Sequence, residues 1–101
     1  MKAKTPAGVH PEVEKGIRKF LQALSGERHA SSHTLRAYGS ELRRFAEYAG
    51  PDLHWKDIDH VLIRGFLSHL HASGLSKVSI ARALAALRSI FKWLAREGVI
   101  Q

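Results

Sequence analysis

The chain has 101 residues, 45% hydrophobic and 25% charged, with 16 Lys+Arg against 9 Asp+Glu for a formal net charge of +7. That size fits one small domain, that composition excludes disorder and collagen-like repeats, and the absence of Cys excludes a disulfide scaffold, a thiolate metal site and a Cys nucleophile. No apolar run approaches the ~20 residues of a membrane span, and no apolar h-region follows the basic start Met1-Lys2-Ala3-Lys4, so a cytoplasmic chain without a signal peptide or membrane partner is expected.

In chain order, residues 1–9, with Pro6 and Gly8, read as a flexible N-terminal tail, and residues 10–101 as the folded domain. The first helix is expected over Pro11–Ser25. Pro11 suits the first helical position, Glu12 and Glu14 complement the positive end of the dipole, and Val13, Ile17, Phe20, Leu21 and Leu24 form an apolar stripe. Gly26 is the expected stop. The second helix spans Ser32–Ala49, capped by the Ser31 hydroxyl accepting from the Thr34 N–H, with Leu35, Tyr38, Leu42, Phe45 and Ala49 inward. Gly50-Pro51 ends it. Gly50–Asp59 is a longer loop in which Trp55 and Leu53 cover one end of the core.

Asp59 is the expected cap of a third helix, His60–Ala72, with Ile58 stapled onto Ile63 and Gly74 as the stop. The fourth helix, Lys77–Glu97, is capped by Ser76 and closed by Gly98. Its predicted buried face is Ile80, Leu84, Leu87, Phe91 and Leu94, and the small residues Ala81, Ala83, Ala85 and Ala86 let another surface approach closely. No alternation long enough for a strand occurs. The expected class is all-α, with four helices.

Enzyme chemistry finds no support in the pattern. His69 and His71 are two apart and point in different directions on a helix, and His54, Asp57, Asp59 and His60 match no ligand spacing. No metalloprotease, phosphate-loop or nucleophile-elbow motif is present. The expectation is no catalytic residue, no metal, no cofactor and no small-molecule substrate.

Charge points elsewhere. Between Asp59 and Glu97 there is no acid, while Arg64, Lys77, Arg82, Arg88 and Lys92 lie there, so the field is one-sided along the second half of the chain. A helix entering the major groove needs a small or polar leading end and basic residues on its outward side. The second helix offers Ser32, His33, Thr34, Arg36, Ala37, Ser40 and Arg43; the fourth offers Lys77, Ser79, Arg82 and Ala86. Double-stranded DNA is therefore the expected partner. The alternative is a helical protein-interaction module without DNA binding, with Trp55, Trp93 and Val99 in an exposed apolar patch.

The run Ser31-Ser32-His33-Thr34-Leu35-Arg36-Ala37-Tyr38, with Leu42 and Phe45, resembles the S-x-x-T-x-x-x-Y-x-x-x-L-x-x-F signature of tyrosine recombinases of the phage integrase family. The run from Leu75 to Leu94, the Asp57-Ile58-Asp59 start of the third helix and Glu97-Gly98-Val99-Ile100 resemble the rest of the same domain, over roughly Val13 to Ile100, with an Xer-like flavour. The resemblance implies the N-terminal core-binding domain, a SAM-like orthogonal four-helix bundle. It forms half of a C-shaped clamp on the recombination site, with the second and fourth helices at the major groove. It places the catalytic Tyr, Arg, Lys and His residues in a following domain that this chain lacks, and implies other recombinase protomers as partners. Tyr38 falls in the signature, but its position in the apolar stripe assigns it to the core. Arg88 lies outside the expected groove-facing stripe, so pairing with an acid such as Glu47, a subunit contact and DNA contact all stay open. Trp93 is either a core edge or an interdomain surface. The first helix either meets a neighbouring protomer or sends Lys15, Arg18 and Lys19 to a phosphate.

Overall fold

The computed structural model describes residues 8–101. Four helices account for most of them: α1 (Pro11–Glu27), α2 (Ser32–Ala49), α3 (His60–Ala72) and α4 (Lys77–Arg96), with a short 3-10 turn at Trp55–Asp57 between α2 and α3. No strand occurs among the described residues.

Each start has a chemical cause. The first N–H groups of a helix lack intrahelical acceptors, and a short side chain before the first turn supplies one. Ser31 Oγ accepts from the Thr34 N–H at 3.2 Å, Asp59 Oδ1 from Leu62 at 2.9 Å and Ser76 Oγ from Ser79 at 3.1 Å. At α1 the acceptor is unexpected: His10 Nδ1 takes the Glu12 N–H at 3.0 Å. His54 opens the 3-10 turn, where its backbone N–H donates to Asp57 Oδ2 at 3.2 Å.

The ends of α3 and α4 follow the expected glycines. Gly74 (φ 86°) and Gly98 (φ 77°) take the left-handed conformation that side chains resist, which lets Leu75 N–H reach the Leu70 carbonyl and Val99 N–H the Leu94 carbonyl. The end of α1 differs from expectation. Gly26 stays helical, and α1 runs two residues past Ser25 to Glu27. The left-handed residue is His29 (φ 51°), and Ala30 N–H returns to the Leu24 carbonyl at 3.1 Å.

All four helices contribute to one core. Phe45 of α2 meets Phe66 of α3 edge-on at 5.1 Å between ring centroids and Phe91 of α4 at 6.3 Å, while Phe20 of α1 meets Trp93 of α4 at 5.8 Å. Trp55 is 2% exposed and donates its indole N–H to the Glu12 carbonyl at 3.2 Å, so the loop between α2 and α3 is anchored on α1 as well as on the core. Gly16 makes room for that indole, since a Cβ there would lie 2.5 Å from Trp55 Nε1. Leu53 is only half-buried. Most of the tail read over residues 1–9 lies outside the described residues; of its last two, Val9 is 3% exposed and belongs to the core.

The buried arc of α4 departs from the sequence reading. Ala83, Ala86, Leu87, Ile90, Trp93 and Leu94 are buried, whereas Ile80, Leu84 and Phe91 are only half-buried. Helix α4 packs against α1, α2 and α3 together, so it buries more than one stripe, and Ala83 and Ala86 are buried there while Ala81 and Ala85 stay exposed. Bulk marked one flank of that arc and concealed its centre.

Candidate nucleic-acid interface

Helices α2 and α4 open in the same way. In each, the capping Ser hydroxyl accepts a backbone N–H and donates its own proton to the hydroxyl three residues on, Ser31 to Thr34 and Ser76 to Ser79, both at 3.1 Å. The second hydroxyl is thereby used as an acceptor and keeps its proton for an external acceptor. The N–H groups of the first turn, at Ser32 and His33 and at Lys77 and Val78, have no carbonyl inside the helix, and the dipole adds positive potential there. Both ends are chemically suited to a phosphate oxygen.

Among the described residues the ion pairs are Arg43–Glu14 and Arg44–Glu41, which leaves six exposed cations of α2 and α4 outside any pair: Arg36, Lys77 and Arg82 toward the two helix starts, and Arg88, Lys92 and Arg96 toward the end of α4. Helix α4 carries no acid from Lys77 to Arg96, so nothing on the helix itself cancels its field. The molecule measures 35 × 31 × 29 Å, close to the ~34–36 Å of one duplex turn.

The expected residues divide. Ser32, His33, Arg36, Ala37 and Ser40 on α2, and Lys77 and Arg82 on α4, are exposed; Thr34 and Ser79 are half-buried with their hydroxyls bonded to the caps. Ala86 is a correction. It is 0% exposed and sits in the core, because the packing of α4 against three helices turns that position inward. Arg43 has another engagement. Its Nη2 lies 3.2 Å from Glu14 Oε1, and the Glu14 side chain is only 9% exposed, with Oε2 buried and unpartnered. Such a pair ties α1 to α2, while the Arg43 side chain stays 45% exposed.

The sequence reading missed the Glu14–Arg43 pair because 29 residues separate the partners and no local spacing signals it. It also passed over the acceptor role of His10. Arg88, left open between three roles, is exposed and forms no ion pair with Glu47 or any other acid among the described residues. The interaction-module alternative loses two of its three anchors, since Trp55 and Trp93 are buried and only Val99, 43% exposed, faces solvent. Tyr38 is half-buried and stacks on Phe20 at 6.3 Å. Among the described residues no three His, Asp or Glu side chains come together as metal ligands, and no helix is long and apolar enough to cross a membrane.

Comparison with known proteins gives the family. The model of the phage integrase N-terminal SAM-like domain matches residues 17–98. A protein named tyrosine recombinase XerC from Thermodesulfovibrio yellowstonii is 39% identical over 85 residues, covering 84% of this chain and 28% of that protein. One of the same name from Pelobacter propionicus is 40% identical over 96 residues, 91% of this chain and 31% of the relative. Tyrosine recombinase XerC 1 of Ralstonia nicotianae is 44% identical over 97 residues, 89% and 27% respectively. The chain thus spans under a third of the length of these relatives. No solved structure gives a significant match. With the family model covering most of the chain, and with four helices in the order the recombinase signature implied, the chain belongs to the phage integrase N-terminal SAM-like domain family.

Proposed function

We propose that this chain is the non-catalytic DNA-gripping module of a site-specific tyrosine recombinase. It would hold recombination-site duplex through α2 and α4 and supply part of a clamp for DNA integration or recombination. The observation that carries the reading is the pairing of two hydroxyl-capped helix starts with three unpaired exposed cations, Arg36, Lys77 and Arg82. Phosphates take the helix starts and the cations, and Ser32, His33 and Ser40 face the base edges. Strand cleavage and rejoining belong to residues outside this span, which corresponds to less than a third of the XerC relatives. Those same residues, and neighbouring protomers, complete the grip.

Anisotropy of a labelled duplex, titrated at several salt concentrations, tests this. Log affinity should fall with log salt by about 0.9 per phosphate neutralised. Arg36→Ala and Arg82→Ala should each lower that slope by about 0.9, and Arg96→Ala should leave it unchanged. A salt-independent affinity, or none at low salt, overturns the reading.

A further inference from the structure

A cavity of about 530 Å³ opens between the C-terminal end of α1 and α4, with Ile63 of α3 also in its lining, and none of the residues assigned to DNA lines it. Its floor is apolar: the core residues Phe20, Leu24, Leu87 and Trp93 lie beneath it, and the half-buried Ile63, Leu84 and Phe91 supply its accessible apolar surface. Its rim is basic: Arg28, Arg88, Lys92 and Arg96 are all exposed, and Glu27 is the one acid that lines it. None of the four cations forms an ion pair among the described residues.

These two features select an occupant. A cavity of this volume lies in the ~300–1,000 Å³ range of ligand-binding clefts. An apolar floor gains by burying apolar side chains, and a rim of four cations to one acid gains by meeting carboxylates. A duplex supplies negative charge on a ridge of phosphates, but no apolar knob to displace water from the floor. We infer that this groove is a docking site for an acidic amphipathic segment of a partner protein, an α-helix whose apolar side chains enter beside Trp93 while its Glu and Asp residues pair with Arg88, Lys92 and Arg28. Such helix-in-groove recognition reads apolar anchors at i, i+3 or i+4 spacing. Arg88 and Trp93, which the DNA reading leaves without a task, then act together.

The test uses the full chain, isotopically labelled, and a synthetic helical peptide with Leu and Phe at i, i+4 spacing and Glu elsewhere. A control peptide keeps every Glu and replaces Leu and Phe with Ser. The Trp93 indole and the Arg88 and Lys92 amides should shift with the first peptide and not with the control, and Arg88→Glu with Lys92→Glu should weaken binding at least tenfold. These two side chains are exposed, so the variant retains the fold, which the unchanged spectrum of α2 verifies. Equal binding of the control peptide, no Trp93 shift at millimolar peptide, or movement of these resonances by duplex DNA alone overturns the inference. Duplex effects at Arg36 and Lys77–Arg82 are read separately, so the two proposals fail independently.

Discussion

Glu14 and Arg43 form an asymmetric pair, and the asymmetry gives a prediction in two observables. The Glu14 side chain is 9% exposed with Oε2 already unpartnered, while Arg43 is 45% exposed. Removing Arg43 strands a buried carboxylate, which costs about 1–3 kcal/mol beyond the pair itself. Removing the charge of Glu14 returns a half-exposed guanidinium to water, where an ion pair is worth only ~0–1 kcal/mol. Arg43→Ala should therefore destabilise by about 2 kcal/mol and Glu14→Gln by less than about 1 kcal/mol. In a domain of this size 1 kcal/mol corresponds to ~4–8 °C in Tm. Urea unfolding followed by Trp fluorescence measures both, because Trp55 and Trp93 are buried in the core. The second observable is the salt slope of duplex binding. With Arg43 held by Glu14, Arg43→Ala should leave that slope unchanged, while Glu14→Gln, by releasing the guanidinium, should raise it by up to ~0.9. If Arg43→Ala costs no more stability than Glu14→Gln, or removes a full phosphate from the slope, the assignment of Arg43 as a tie between α1 and α2 is wrong.

Three further outcomes follow from packing and capping. Gly16→Ala places a methyl 2.5 Å from the Trp55 indole nitrogen, so it should cost about 1–3 kcal/mol by overpacking and lower the urea midpoint. Ala86→Leu should cost a similar ~1–3 kcal/mol because position 86 is fully buried, whereas Ala85→Leu, on the exposed side of α4, should change stability by less than ~0.5 kcal/mol; thermal unfolding of the two variants compares them directly. Ser76→Ala removes the acceptor for the Ser79 N–H and should lower stability by ~1 kcal/mol, measured by urea unfolding, while also weakening duplex binding through disorder of the α4 start.

Local chemistry was legible in the sequence. Ser31, Asp59 and Ser76 cap as their residue types and positions predict, and three of the four helices end within one residue of expectation. These features depend on neighbours a few positions apart. Features that depend on which helix lies alongside were not legible. Ala86 reads as part of a polar stripe until three helices close over α4, and Arg43 reads as a free cation until Glu14 arrives from 29 residues away. Gly26 reads as a stop, yet the turn to α2 is made by His29 in the left-handed region. The tail reading failed at Val9, whose side chain is drawn into the core although Gly8 and Pro6 precede it.

One duplex is proposed to rest on the starts of α2 and α4. Backbone amide shifts of the labelled chain, mapped on addition of a synthetic duplex at low salt, report whether it does. Shifts should concentrate at Ser32–Ser40 and Lys77–Arg82, with the exposed side of α3 around Val61 and Arg64 left still. A response centred on α3, or a spectrum the duplex does not change, contradicts it.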